Sequence, residues 1–341
     1  MSNRTSLFKP NPQLDILLKE INSVLEQTES KRFTGGLIPS LPVIFVVGAP
    51  RTGTTLALQW LASTGVFSYP TNLLSRFFRS PYLGARIQQI LTDPDFDFAG
   101  ELTGAGISGK SWASTAGKTV GPLEPHEFSY FWRRFYPVGQ ARPLTKDEIS
   151  KSDAPGFANG IALIQQALQK PFAAKGIILQ YNLAHLAELL PTSIFIRTTR
   201  DSFLTVYSLL HARRKVFGSV DSWFSVEPPG TSWLRTQDPY VQVAGQVMFT
   251  NYALEKQCAQ LPQERVLTLD YEAFCKSPEV LYKKLLNCMR AVGFESSKEY
   301  SGLASFVASD KSRATESEQQ QISDAIEFVT LSRDLIFSTP A

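Results

Sequence analysis

Apolar residues recur along this chain in two rhythms. Short unbroken runs at 43–47, 176–179, 193–196 and 265–269 are too brief for helices, and the first is rich in β-branched residues. Strands buried on both faces read this way. Between and after them, apolar positions at helical spacing predict helices over 161–168, 183–190, 203–216, 239–261 and 280–292. Alternating strands and helices imply crossover connections. The expected fold is therefore α/β: a doubly wound parallel sheet of the P-loop NTPase-like kind, flanked by helices on both faces. Ligand is expected outside the carboxyl ends of the strands.

Leu14, Leu17, Leu18, Ile21, Val24 and Leu25 recur at helical spacing within 11–27. They predict an amphipathic helix that packs on the main domain or serves as an oligomer contact. Residues 1–38 then form a helical extension, and 39–341 a single domain. A short strand is expected at 66–69 and a helical pattern over 72–91. The rhythm is lost around 93–123, where Gly, Ser and Thr dominate, as in a lid, a binding loop or a disordered insert. The aromatic stretch 124–136 follows, suited to core packing or to a pocket wall.

Composition narrows the partners. A net charge of +3 over 341 residues predicts no general affinity for nucleic acid or membrane. The cysteines, Cys258, Cys275 and Cys288, lack C-x-x-C spacing and read as reduced thiols of an intracellular protein. Neither a signal-like start nor a membrane-length apolar run is evident, so a cytoplasmic location is expected.

Residues 42–56 read P-V-I-F-V-V-G-A-P-R-T-G-T-T-L: strand, glycine turn, helix start. Loop amides and a helix N-terminus in this order hold a phosphate. Against the triphosphate loop G-x-x-x-x-G-K-[S/T], Gly48, Gly53 and Thr55 match, but Thr54 occupies the lysine position. The cation is instead Arg51, inside the loop. A phosphate-bearing nucleotide other than ATP is implied. A second candidate anion site follows the 193–196 run, where Arg200 leaves a strand and Ser208 lies roughly two turns into the next helix. Arginine's planar fork and a hydroxyl suit phosphate. Two such sites suit a nucleotide with separate 5′ and 3′ phosphates.

These residues resemble the sulfotransferases that use 3′-phosphoadenosine 5′-phosphosulfate (PAPS). G-A-P-R-T-G-T-T-L is similar to that family's 5′-phosphosulfate loop. R-D-S-F-L-T-V-Y-S is similar to its 3′-phosphate motif, with Ser202 replacing the usual proline, and V-L-T-L-D-Y-E-A-F-C-K-S-P resembles a downstream family stretch. The resemblance spans about 42–290. It implies PAPS as co-substrate and Thr52, Gly53, Thr54 and Thr55 around the 5′-phosphosulfate. It also implies Arg51 at the bridging oxygen and Arg200 with Ser208 on the 3′-phosphate. A strand-end lysine found in many members falls on Gln180 here, and Lys311 or Arg313 are candidates to close over the 3′-phosphate.

Transfer of a sulfuryl group to a hydroxyl or amine is expected to be an in-line displacement that requires no metal. His126 is the first candidate general base, with Glu124 and Glu127 as alternatives; His185 and His211 read as structural or as part of a basic face. The acceptor is left open among small molecules, lipids and carbohydrates. Two other readings compete: a P-loop kinase or NTPase with Asp270 as metal-binding aspartate, and a non-catalytic nucleotide-binding protein.

Overall fold

The structure, a computed structural model, describes residues 4–97, 112, 114–115, 117–136, 138–309 and 313–337. The chain runs through α1 (Pro12–Arg32), β1 (Val43–Gly48), α2 (Thr54–Ser63), α3 (Pro81–Thr92), β2 (Ser114–Thr115) and β3 (Lys118–Thr119). It continues with α4 (Ser129–Phe135), α5 (Lys146–Ser150), α6 (Ala154–Leu168), β4 (Phe172–Lys175), α7 (Leu183–Leu189), β5 (Ser193–Thr199) and α8 (Ser202–Phe217). The last elements are α9 (Thr231–Leu234), α10 (Pro239–Ala259), β6 (Val266–Asp270), α11 (Tyr271–Lys276), α12 (Pro278–Ala291) and α13 (Glu316–Phe337).

Strand β1 is buried along its whole length. Val43, Phe45 and Val47 face one hydrophobic cluster, while Ile44 and Val46 face another. Side chains alternate across a strand, so a sheet covered on both faces needs apolar residues at every position. Residues of α4, α6, α7 and α10 build the first cluster, and residues of α2, α11 and α12 build the second. The main sheet has four strands in the order β4-β1-β5-β6, and every pairing is parallel. This is the expected α/β arrangement. It brings the carboxyl ends of β4, β1 and β5 side by side.

The tertiary structure moves several boundaries. The fourth strand is Phe172–Lys175, not 176–179, and Ile177–Leu179 is a 3-10 turn. Gly176 marks the break: a Cβ there would stand 3.1 Å from both Phe45 Cβ and Val47 Cγ1. Residues 66–69 contribute one isolated bridge, Ser68 to Phe172. The pattern over 72–91 divides into a 3-10 turn, Leu74–Phe77, and α3. Of the insert, residues 98–111 lie outside the described residues, while 114–115 and 118–119 pair as a hairpin. Helix α13, unanticipated from the sequence, packs Ile322, Ala325 and Val329 against α8 and α10.

Helix α1 packs only part of its expected apolar face, with Leu14, Leu18 and Leu25 half-buried. Leu17 and Val24 are each 61% exposed, while Asn22 and Glu29 are buried. The body offers α1 unpaired backbone groups. Asn22 donates to Arg76 O at 2.7 Å and accepts from Arg79 N at 2.8 Å, and Glu29 accepts from Leu83 N at 2.8 Å. Leu83 lies in the first turn of α3, whose N–H groups have no intrahelical partner. Among the described residues, no helix is long and apolar enough to cross a membrane.

Candidate active site

The loop after β1 is held in an unusual backbone form. Arg51 has φ +73° and Gly53 φ +95°. A Cβ on Gly53 would also come within 2.6 Å of Tyr271 Cδ2, so both the dihedral and the contact demand glycine. Gly53→Ala is expected to destabilise the fold by about 1–3 kcal/mol through strain at this position, read as a lowered Tm, and to displace the Tyr271 ring.

Thr52 is turned inward. Its hydroxyl donates to Ala49 O at 2.7 Å and lies 2.6 Å from Thr198 Oγ1, and its N–H reaches Ala49 O at 3.3 Å. These bonds tie the loop to β5 through Thr198. The first turn of α2, beginning at Thr54 and Thr55, carries N–H groups without intrahelical partners and the positive end of the helix dipole.

Arg51, Arg200 and Ser208 are brought together. Arg51 Nε donates to Ser208 Oγ at 3.1 Å, and Arg200 Nη1 donates to Arg51 O at 3.1 Å. Arg200 also donates to Ser309 O, and its guanidinium carbon lies 4.5 Å from the centroid of the Tyr271 ring. Tyr271 therefore touches the loop glycine and the second arginine at once. Arg200 Nε is buried without a hydrogen bond, with Glu272 Oε1 3.8 Å away and likewise unbonded.

Arg51, Arg200 and Ser208 line a cavity of about 370 Å³ together with His211, Lys215 and Arg313. None of its described lining residues is acidic. Burial, followed by the like charge of Arg200, pushes the Arg51 guanidinium below its ordinary value. A bound anion would relieve both effects. Lys311 lies outside the described residues.

Lys175, absent from the sequence reading, ends β4 beside the loop. It is 4% exposed. Its Nζ donates to Thr55 Oγ1 at 2.7 Å and to Glu127 at 3.0 Å. The available signal was a charged residue closing the short apolar stretch Phe172-Ala173-Ala174. The more β-like Gly176-Ile177-Ile178-Leu179 drew the strand four residues too late, which is why Gln180 was assigned the strand-end position. Gln180 instead is fully buried and accepts from Gly48 N at 3.2 Å, which fixes the start of the loop.

The three candidate bases separate. Glu124 is buried and accepts from Gln59 at 3.3 Å. His126 Nδ1 accepts from Phe128 N at 2.9 Å. Burial holds its pKa below the ordinary value of 6.5 despite the Glu127 charge. A neutral ring accepting at Nδ1 carries its proton on Nε2, so it can donate but not accept there. For Glu127, desolvation acts upward, but the charge and hydrogen bond of Lys175, with His126 and Lys118, hold its carboxyl below the ordinary 4.5.

The hairpin turn covers Glu127, Lys175 and Thr55: a Cβ on Gly117 would lie 3.4 Å from Glu127 Oε1 and 3.8 Å from both Lys175 Nζ and Thr55 Oγ1. Ser114 and Thr115 line the basic cavity. His185 meets Tyr136 Oη at 2.8 Å, away from the loop, while Asp270 caps α11 by accepting from Ala273 N at 2.9 Å.

Known structures of related shape are distant in sequence. Sulfotransferase STF9 from Mycobacterium avium is 12% identical, with a TM-score of 0.45, over 93% of this chain and 72% of that one. Sulfotransferase STF1 from Mycobacterium tuberculosis H37Rv is 12% identical, with a TM-score of 0.47, over 89% and 81%. The sulfotransferase domain of the Synechococcus PCC 7002 olefin synthase is 15% identical, with a TM-score of 0.37, over 86% and 96%. No curated protein matches in sequence. The profile described as the sulfotransferase family matches residues 42–290, well over half of the chain, and the protein belongs to that family.

Proposed function

We propose that this sulfotransferase takes its sulfuryl group from PAPS and passes it to a hydroxyl of a small acceptor. The observation that carries the reading is the cavity at the ends of β1 and β5, where Arg51, Arg200 and Ser208 meet with no acid in its described lining. Its volume of about 370 Å³ lies within the range usual for ligand sites. Two clusters of donors, at the start of α2 and around Arg200, match a nucleotide bearing phosphates at both 5′ and 3′ positions.

In this reading the loop, the α2 N-terminus and Lys175 hold the phosphosulfate, and Arg200 and Ser208 hold the 3′-phosphate. Arg313 and Lys215 add positive charge at the rim of the same cavity. Glu127 accepts the acceptor's hydroxyl proton as the oxygen attacks sulfur. The bond from sulfur to the bridging oxygen breaks, leaving adenosine 3′,5′-bisphosphate. Arg51 offsets the charge that develops on that leaving phosphate. Lys175 serves two purposes: it donates toward the sulfuryl oxygens and keeps Glu127 ionised.

Calorimetry with adenosine 3′,5′-bisphosphate tests the assignment. Micromolar binding is expected, with a loss of roughly tenfold or more in Arg200→Ala, because a charge-assisted contact is removed. Absence of binding to the unaltered protein overturns the assignment. The helix-capping role of Asp270 counts against the kinase reading. Sulfuryl transfer that continues in a chelator would set that reading aside, and Mg²⁺-dependent ATP turnover would establish it.

A further inference from the structure

Five rings of the aromatic stripe offer no wall to an acceptor. Phe128, Phe131, Trp132, Phe135 and Tyr136 are all buried in the cluster beneath the sheet. Phe131 stacks on Phe128 with ring centroids 4.4 Å apart, and Phe157 closes over Trp132 at 4.7 Å. These rings are committed to one another.

A second cavity, of about 110 Å³, shares the Lys175–Glu127 pair but none of the glycine loop. Its polar lining is Glu127, Ser129, Arg133, Gln140, Lys175 and Ser225. The space corresponds to roughly four water molecules, enough for the end of a molecule rather than an extended one. Lys175 connects the two sides of this arrangement, since the same Nζ that bonds Glu127 also bonds Thr55 on α2. A hydroxyl entering this cavity would therefore meet the candidate base next to the sulfuryl site.

Arg133 sets the chemistry of that end. Its Nε donates to Val138 O at 3.1 Å and its Nη2 to Gly139 O at 2.8 Å. These bonds hold the guanidinium in one plane and leave Nη1 without a hydrogen bond among the described residues. Nor does any described carboxylate ion-pair with Arg133. A pre-oriented guanidinium of this kind recognises an acid group. Ser225 stands in the same wall at φ +76°, an uncommon backbone form for a non-glycine residue.

We propose that this cavity takes the acceptor, and that the acceptor end is hydrophilic and carries an acid group near the reacting hydroxyl, as a sugar acid does. Among the described residues the cavity has no aromatic lining, which disfavours phenols and sterol-like alcohols. The proposal rests on the assignment of Glu127 and Lys175 to the sulfuryl site.

Saturation-transfer NMR tests it, with D-glucuronate, D-glucose and 4-nitrophenol in one mixture, in the presence and absence of adenosine 3′,5′-bisphosphate. Glucuronate is expected to take up saturation most strongly. In Arg133→Gln its contact should weaken by about tenfold, while nucleotide affinity by calorimetry stays within about twofold, the two sites being separate. Ser129→Leu, which fills the cavity without touching the Arg133 anchors, should remove the contact as well. Saturation of 4-nitrophenol alone, of no ligand, or of glucuronate undiminished in both variants would overturn the proposal. Failure of the unaltered protein to bind the bisphosphate overturns the donor assignment alone, because the nucleotide-free mixture still judges the cavity by its own contacts.

Discussion

Arg51→Ala is expected to lower kcat by about 10²–10³ while weakening nucleotide affinity far less, because its guanidinium acts on charge that develops only during transfer. Arg51 is placed for this. Its backbone is held at φ +73°, Arg200 grips its carbonyl and Ser208 grips its Nε. Desolvation of the guanidinium makes each donor worth more than it would be in water. Arg51→Lys restores charge without the planar fork and should recover only part of the rate. Single-turnover release of adenosine 3′,5′-bisphosphate, set beside calorimetry, measures both quantities. Equal losses in affinity and rate would mean that Arg51 merely binds, and would remove it from the chemical step.

Glu127→Gln is the second large effect, a fall in kcat of about 10²–10⁴ with donor binding preserved. The pH profile identifies the base independently. A base must be unprotonated, so the rate is constant above its pKa and falls as pH drops through it. Glu127 is held below the ordinary 4.5 by Lys175, so the acid limb is expected below that value. Were His126 the base, the limb would lie below 6.5, the direction in which burial shifts it, and would vanish with the imidazole. His126→Ala should leave the profile's shape unchanged. A limb that disappears in His126→Ala and persists in Glu127→Gln would reverse the assignment.

The glycine loop was legible because its chemistry is local. Gly53 must adopt positive φ where the loop enters α2, and the residues on either side announce a strand and a helix. The pairing of Arg200 with Ser208 was legible for a similar reason, since both sit on one strand-to-helix junction. Their partner was not: Ser208 bonds Arg51, from a loop 157 positions away. Lys175 was missed because the strand assignment rested on β propensity, and the four residues after it are the better β formers. What ends β4 is the close passage of Gly176 over Phe45 and Val47, a contact between distant segments that no local pattern encodes.

Choosing among His126, Glu124 and Glu127 likewise required the third dimension. Adjacent residues in a non-helical stretch point different ways, and one backbone N–H, that of Phe128, determines which nitrogen of His126 carries the proton. The packing of α1 around Asn22 and Glu29 shows the same limit, because apolar periodicity identifies a helix but does not say which polar groups another surface will need. By itself, then, the sequence determined the α/β layering, the glycine loop and the two arginines beside it, all properties of neighbouring residues and their periodicity. Only the tertiary structure decided that Thr52 turns inward, that Lys175 joins the loop to Glu127, and that all of the aromatic stripe but Tyr130 belongs to the core. Each of those depends on which distant segments meet at the ends of β4, β1 and β5.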